Sequence, residues 1–256
     1  MKAGTVEGAG AALAFREAGG GEPVIVVHDL AADAAAWEPQ LARLGGRAIA
    51  YDRRGYGGST APEGYAATTV EEQAEDLAAL LRALDAAPAV LLGDGLGALV
   101  ALDVAKRRPE LVASLVLADT PLHAFVPEAT QALAEQRSRL EVALRAGGQP
   151  AAIAAHLGAS ADAGRLARAQ AAAPAFFADY AGGSSWPVTR RELRAITIPA
   201  VVLTRPGSAP HVVAAGDALA ALLPVVERVR DGDPVAAAAG RLADRSTQSA
   251  PKRHTR

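Results

Sequence analysis

The chain has 256 residues, half of them apolar and about a fifth charged, which suits one large domain with its own core. Its net charge of -2 disfavours nucleic-acid binding through a basic surface, and the absence of cysteine excludes disulfides and thiol nucleophiles. No apolar run reaches the roughly 18 residues of a membrane span, and the N-terminus lacks a signal-peptide pattern. We therefore expect a cytoplasmic protein that binds neither nucleic acid nor membrane.

Short β-branched runs alternate with longer helical stretches, which predicts a mostly parallel central sheet flanked by helices. The predicted strands cover residues 23–28, 47–52, 88–92, 115–119, 196–204 and 225–229. Capping boxes at Thr69 and Thr189 begin two helices, and further helices are predicted over residues 96–108, 212–223 and 234–243.

The alternation of strands and helices stops between residues 121 and 187. This stretch is rich in alanine, is helical in pattern and carries no strand signal. We therefore predict a core made of residues 1–120 and 188–245, a helical insertion over residues 121–187, and a polar tail, residues 246–256, that is disordered.

Three segments carry a family resemblance. The first predicted strand ends in Val27-His28-Asp29, and Trp37 follows further along the chain. The second predicted strand leads into Asp52-Arg53-Arg54-Gly55-Tyr56-Gly57-Gly58-Ser59. The central predicted strand, residues 88–92, is followed by Gly93-Asp94-Gly95-Leu96-Gly97-Ala98. In this order they resemble the α/β-hydrolase fold family, especially its cofactor-free haloperoxidase, esterase and epoxide-hydrolase branch. The resemblance covers residues 24–243 and implies an α/β class protein whose helical lid is inserted after the sixth strand.

The resemblance also locates the family's nucleophile, acid and histidine. The nucleophile stands on a sharp strand-to-helix turn between small residues; Gly93 and Gly97 match those residues, and Gly95 matches the nucleophile. Ser208 matches the acid to within one position, and Asp233 matches the histidine. A Ser-Asp-His triad is thus replaced by Gly95, Ser208 and Asp233, and a covalent intermediate at this turn is excluded.

The family's oxyanion hole is made by backbone N–H groups, which survive changes of side chain. The matching donors are the amides of Leu30 and Leu96. A histidine-glycine pair is usual beside them, whereas this sequence has His28-Asp29. An inward-pointing Asp29 would disfavour an oxyanion there.

Three side chains are candidate replacements for the triad. Asp233 is the leading base, although an aspartate before Pro234 is also typical of a helix N-cap. His123 follows the sixth strand and is a candidate acid–base group or a surface histidine. Asp94 would contact ligand or lie buried behind the turn.

Other polar residues receive weaker assignments. Asp119 is expected to cap a turn or orient His123, His211 to lie on the rim and His28 to be structural, while His156 and His254 receive no role. No set of residues has metal-ligand spacing, so neither a metal nor another cofactor is expected.

The scarce aromatic residues gather in one part of the insertion: Phe176, Phe177, Tyr180 and Trp186. Their spacing fits packing of the insertion against the core, and their concentration also fits a flat hydrophobic ligand beneath them.

Three functions remain open from the sequence. The first is a non-hydrolytic enzyme that uses acid–base catalysis and an oxyanion-type site on an aromatic or polyketide-like intermediate of natural-product biosynthesis, in a cyclisation, Michael-type addition or other carbon–carbon bond formation. The second is a non-catalytic pseudohydrolase that binds such a ligand. The third is a weak hydrolase with activated water. The partner in each is a small hydrophobic molecule, and whether the chain forms a homodimer is left open.

Overall fold

A computed structural model describes residues 1–159, 161–183 and 185–249. Its strands form one eight-stranded sheet in the order β1-β2-β4-β3-β5-β6-β7-β8. β1 and β2 pair antiparallel with each other, and β2 pairs antiparallel with β4, while all remaining pairs are parallel. The strands are β1 Lys2–Glu7, β2 Ala12–Gly19, β3 Pro23–Val27, β4 Arg47–Tyr51, β5 Ala89–Asp94, β6 Val112–Ala118, β7 Ala200–Leu203 and β8 Val226–Val229.

Nine α-helices accompany the sheet in the part of the chain that the structure describes. They are α1 Glu38–Leu44, α2 Val70–Ala83, α3 Leu96–Arg107, α4 Pro127–Leu157, α5 Ala163–Ala171, α6 Ala173–Gly183, α7 Arg190–Arg194, α8 Pro210–Ala220 and α9 Pro234–Ser249. Both predicted capping boxes are present, at Thr69–Glu72 and Thr189–Glu192. None of the described helices is long and apolar enough to cross a membrane.

The two faces of the sheet are covered by different helices. Alternate strand residues such as Ile25 and Leu91 pack towards α2, α3 and α8, whereas Val24 and Val90 pack towards α1 and α9. This alternation follows from the two-residue period of a strand. Because both faces are covered, the central strands are apolar throughout.

The observed elements confirm the predicted α/β class and correct some of its boundaries. β1 and β2 were not predicted, and the long predicted strand over residues 196–204 narrows to β7. The described residues between 121 and 187 form helices α4–α6 with one short 3-10 turn, His123–Phe125, and no strand.

The prediction of a disordered tail is wrong for residues 246–249, since α9 continues to Ser249. The hydroxyls of Ser246 and Thr247 donate to carbonyl oxygens four residues earlier, and Arg245 pairs with Glu22 at 2.8 Å. The remainder of the predicted tail, together with His254, lies outside the described residues.

Candidate functional site

A cavity of about 300 Å³ lies at the carboxyl ends of β3, β5 and β6. This is the edge at which open α/β sheets bind their ligands. The part of its lining that comes from the sheet edge includes Asp29, Leu30, Gly95, Leu96 and Asp119. The helical insertion contributes His123, Gln136, His156, Asp179 and Tyr180, and α8 contributes His211.

The turn between β5 and α3 has the geometry that its glycines predict. Gly95 has φ 51° and ψ -118°, a conformation that L side chains rarely adopt. A Cβ atom on Gly97 would lie 2.0 Å from the Val27 carbonyl oxygen, and one on Gly93 would lie 2.5 Å from Ala98 Cα. Close backbone packing therefore requires small residues on both sides of Gly95.

Asp29 occupies the space above Gly95. A Cβ atom built on Gly95 would lie only 1.9 Å from Asp29 Oδ1. The same oxygen accepts a hydrogen bond of 2.8 Å from the Leu96 amide, the first N–H of α3. The Asp29 carboxylate thus stands where a side chain on the turn would begin, and it takes up the Leu96 donor expected for an oxyanion.

Asp29 is fixed through its backbone rather than through an ion pair. Its carbonyl oxygen accepts hydrogen bonds from His28 Nδ1 at 2.8 Å and from Arg53 Nη2 at 3.2 Å. No cationic side chain among the described residues lies within ion-pair distance of its carboxylate. A carboxylate without a cationic partner therefore faces the cavity.

Ser208, which matches the family's acid position, belongs to a cluster of charges around Arg205, and one member of this cluster, Asp119, also lines the cavity. Ser208 Oγ donates to Asp119 Oδ1 at 2.7 Å, and Arg205 Nη1 contacts Asp94 Oδ1 at 2.8 Å and Asp119 Oδ2 at 2.7 Å. Burial raises the pKa of Asp94 to about 6 even though Arg205 opposes that change. Asp94 lines a neighbouring groove rather than the cavity beside Gly95.

Asp233 lies in that same neighbouring groove and is half exposed. Its Oδ1 accepts from the Val235 amide at 2.9 Å, and its Oδ2 pairs with Arg43 at 3.0 Å. Although burial acts in the opposite direction, these contacts lower the pKa of Asp233 below its usual value. The structure does not bring Asp233 together with His123, and its contacts are those of the N-cap that the sequence offered as the other interpretation.

His123 lines the cavity, which is one of the two positions that the sequence left open. Its Nδ1 atom is buried and has no hydrogen-bond partner among the described residues. Burial lowers the pKa of His123, so the ring is neutral at pH 7. An unpartnered nitrogen in a cavity wall favours a ligand that carries a hydrogen-bonding group.

The four grouped aromatic residues separate in the fold. Tyr180 lines the cavity, and its hydroxyl is buried without a partner in the described part of the chain. Phe176 is fully buried behind it, stacked on Tyr180 with ring centroids 6.0 Å apart, and Phe177 packs against Phe176. Trp186 donates to Asp103 at 3.0 Å and packs beside Lys106, so it contributes to the core.

The sequence analysis assigned no role to His156, which lines the cavity. Its Nδ1 atom lies 3.2 Å from Gln136 Nε2, although both residues belong to α4. The contact forms because α4 is broken at Gly147 and Gly148, whose backbone angles are not helical. The Gly-Gly pair followed by Pro150 was the available sequence signal, since it predicts a break at which the chain turns back.

No group of three or more metal-ligating side chains occurs among residues 1–159, 161–183 and 185–249. The polar groups that line the cavity are carboxylates, imidazoles, a phenol, the Gln136 amide and backbone amides.

Comparison with known proteins supports the fold seen here. The family described as "alpha/beta hydrolase fold" matches residues 22–191. An esterase from Thermogutta terrifontis superposes with a TM-score of 0.73 at 25% identity, covering 97% of this chain and 96% of that one. An enol-lactonase from Burkholderia xenovorans LB400 gives a TM-score of 0.70 at 24% identity, covering 95% and 100%, which shows the fold alone.

Among curated relatives, 2-(acetamidomethylene)succinate hydrolase from Mesorhizobium japonicum is 39% identical over 110 residues, which are 42% of this chain and 38% of that protein. A Mycobacterium tuberculosis protein named as the non-heme bromoperoxidase BpoC is 35% identical over 112 residues, 42% of each chain. The matched region thus spans about two fifths of the length of these relatives.

Proposed function

The chain belongs to the α/β-hydrolase family, and from that premise we propose that it is a cofactor-independent acid–base enzyme rather than a serine hydrolase. Its substrate is a small hydrophobic carbonyl compound, and Asp29 is the base that removes a proton from the carbon next to the carbonyl. Such a step begins cyclisations, Michael-type additions and retro-aldol cleavages.

The observation that supports this proposal is the position of the Asp29 carboxylate over Gly95. Gly95 offers no nucleophile, and Asp29 Oδ1 lies 2.8 Å from the Leu96 amide that would otherwise stabilise a tetrahedral oxyanion. Acyl transfer therefore lacks its nucleophile and one of the two amide donors of its oxyanion hole. Proton transfer needs neither of them, and a carboxylate in contact with a cavity is one of its ordinary agents.

The lining of the cavity favours an uncharged substrate. Its described residues include the carboxylates of Asp29, Asp119 and Asp179 but no lysine or arginine. Asp119 and Asp179 are paired with arginines, so a substrate carboxylate would face the uncompensated charge of Asp29 in a partly desolvated space. A neutral ketone or β-dicarbonyl compound avoids this repulsion, and Leu30, Leu96 and Leu133 supply apolar contact.

Deuterium exchange tests the proposal directly. The protein is incubated in heavy water with 2-tetralone, 1-indanone and acetoacetanilide, and mass spectrometry compares deuterium at carbon with a boiled-protein control. We expect protein-dependent labelling that Asp29→Asn reduces by about 10²–10⁴-fold, the usual contribution of a general base. Asp85→Asn is the matched control, because Asp85 is exposed and lies in the turn before β5, at the opposite edge of the sheet.

A second candidate function follows from relatives named as hydrolases. In it, Asp29 activates water, and 4-nitrophenyl butyrate would be hydrolysed without a burst in an Asp29-dependent manner. Ester turnover with no labelling of the ketones would favour this candidate over carbon acid–base chemistry. Binding of these compounds without deuterium labelling of the ketones or hydrolysis of the ester would indicate a pseudohydrolase instead.

A further inference from the structure

The proposed chemistry creates a negative oxygen at a site where one of the two expected amide donors, Leu96, is already occupied. Removal of a proton next to a carbonyl leaves an enolate, and Asp29 already accepts from the Leu96 amide at 2.8 Å. We propose that His156, with its ring proton fixed on Nε2 by Gln136, donates the hydrogen bond that stabilises this enolate oxygen. The inference rests on the proposed function and adds the residue that receives the developing charge.

Gln136 determines which nitrogen of His156 carries the proton. The amide nitrogen of Gln136 lies 3.2 Å from His156 Nδ1. An amide N–H donates and cannot accept, so Nδ1 must accept, and the proton of the neutral ring resides on Nε2. Gln136 is a positioning residue in this arrangement, because it acts through the imidazole.

Aromatic neighbours hold the ring of His156 in place. Its centroid lies 5.0 Å from that of Phe176 and 6.1 Å from that of Tyr180, and both contacts are edge-to-face. Such contacts restrict rotation of a ring by favouring one orientation of its edge. The imidazole is therefore oriented before substrate binds.

The environment of His156 keeps the ring neutral. Burial lowers the pKa of His156, and the opposing attraction of Asp29 is the smaller influence. A neutral imidazole is a suitable donor to an enolate, since its N–H group stabilises the oxygen by a hydrogen bond while the ring keeps its proton.

Asp29 and His156 line the same cavity without forming an ion pair, and in the proposed complex the substrate carbonyl lies between them. In the forward step, the bond between hydrogen and the α-carbon breaks, and the proton moves to the Asp29 carboxylate. The freed electron pair forms the carbon–carbon double bond, and the carbonyl oxygen becomes an enolate that accepts from His156 Nε2. The proton on Asp29 exchanges with solvent deuterium, and return of a deuteron from Asp29 to carbon closes the cycle, so no oxidant or reductant is needed.

The tautomer of His156 can be measured without any substrate. Long-range proton–nitrogen correlation spectra of protein labelled with ¹⁵N-histidine distinguish the two neutral tautomers, and His156→Gln assigns the signal. We expect the Nε2–H form in the wild-type protein. In Gln136→Glu the new carboxylate only accepts, so we expect the proton on Nδ1 and Nε2 turned into an acceptor.

Exchange kinetics then connect the tautomer with catalysis. Gln136→Glu should lower kcat for deuterium exchange into 2-tetralone at least tenfold with little change in KM, because the donor is lost while the cavity keeps its shape. Gln136→Leu, which merely frees Nδ1, should lose less. Gln149→Glu makes the same change on an exposed position of α4 and should leave both the tautomer and the rate as in the wild type.

Two results would overturn the role of His156 alone: an Nδ1–H signal in the wild-type protein, or an exchange rate that Gln136→Glu leaves unchanged although the tautomer has switched. Failure of the proposed function looks different. A wild-type protein that labels none of the ketones, or labelling that survives Asp29→Asn, removes the base and with it the need for a donor.

Discussion

Carboxylates at the carboxyl edge of this sheet exist in two different surroundings. Asp179 and Asp119 contact arginines at 2.6 and 2.7 Å, and Asp94 contacts one at 2.8 Å. Asp29 lies on the same edge, and among the described residues it has a backbone amide instead of a cation. The arginine-paired groups hold loops and helices together, whereas Asp29 keeps an oxygen available to a ligand. The partner of a carboxylate, more than its position, separates structural from chemical roles here.

The largest effect should come from breaking the most buried of the arginine pairs. Arg53 and Asp179 have side chains that are 1% and 0% exposed, and they join the β4–α2 loop to α6. Arg53→Met leaves the Asp179 carboxylate buried without its cation, which should cost about 3–5 kcal/mol of unfolding free energy. Urea denaturation measures this loss.

Arg43→Met supplies the matched control for that comparison, because the Arg43–Asp233 pair is half exposed. It should lose less than about 1 kcal/mol. Equal losses for the two variants would contradict the assignment of Arg53 as the link between the core and the helical insertion.

A smaller effect should appear where Asp29 takes the place of a side chain on the turn. Gly95→Ala places a Cβ atom 1.9 Å from Asp29 Oδ1 at a φ of 51°, which should cost about 2–3 kcal/mol. In the background of Asp29→Gly the clash disappears and only the backbone strain remains. The double-mutant cycle should therefore show a coupling of about 1–2 kcal/mol, and strict additivity would mean that Asp29 does not occupy this space.

The central sheet could be predicted from sequence, whereas the base that we propose could not. Strand β3 and residues 89–92 of β5 are continuous apolar runs, because helices cover both faces of these strands. β1 and β2 were not predicted, since alanine and glycine interrupt the alternation of apolar and polar residues in both strands. The Asp29 carboxylate contacts the Leu96 amide, which is 67 residues away in sequence, and it does so in space that a side chain on Gly95 would occupy. A contact at this separation cannot be read from a local sequence pattern.

His156 was missed for a related reason. Its partner Gln136 is 20 residues away in the same helix, and the helical period assigns the two residues to distant turns. Only the break at Gly147 and Gly148 brings them together. Asp233, in contrast, received its catalytic assignment from alignment to a family position, and the local Asp-Pro pattern was the better guide to its contacts.

The charge cluster around Arg205 should make the free energy of unfolding depend on pH. Burial raises the pKa of Asp94 from 3.8 to about 6 in the folded chain. The folded state therefore binds this proton more tightly than the unfolded state, and its contribution to stability is lost as pH rises from about 4 to about 6. Asp94→Asn removes the titration, so its stability relative to the wild type should rise across this window by on the order of 1–2 kcal/mol. A difference that stays constant between pH 4 and pH 7 would show that Asp94 titrates as it does in the unfolded chain.

The smallest effect should come from Asp233→Asn, which tests whether Asp233 is a catalytic base or a helix N-cap. Asn keeps an oxygen that can accept from the Val235 amide, and asparagine is as good an N-cap as aspartate. The lost attraction to Arg43 is screened because both side chains are half exposed. Asp233→Asn should therefore cost about 0.5 kcal/mol or less in urea denaturation and leave ketone exchange within about twofold of the wild-type rate. A loss of exchange comparable to that of Asp29→Asn, with stability retained, would return the role of base to Asp233. It would also mean that the neighbouring groove, rather than the cavity beside Gly95, holds the substrate.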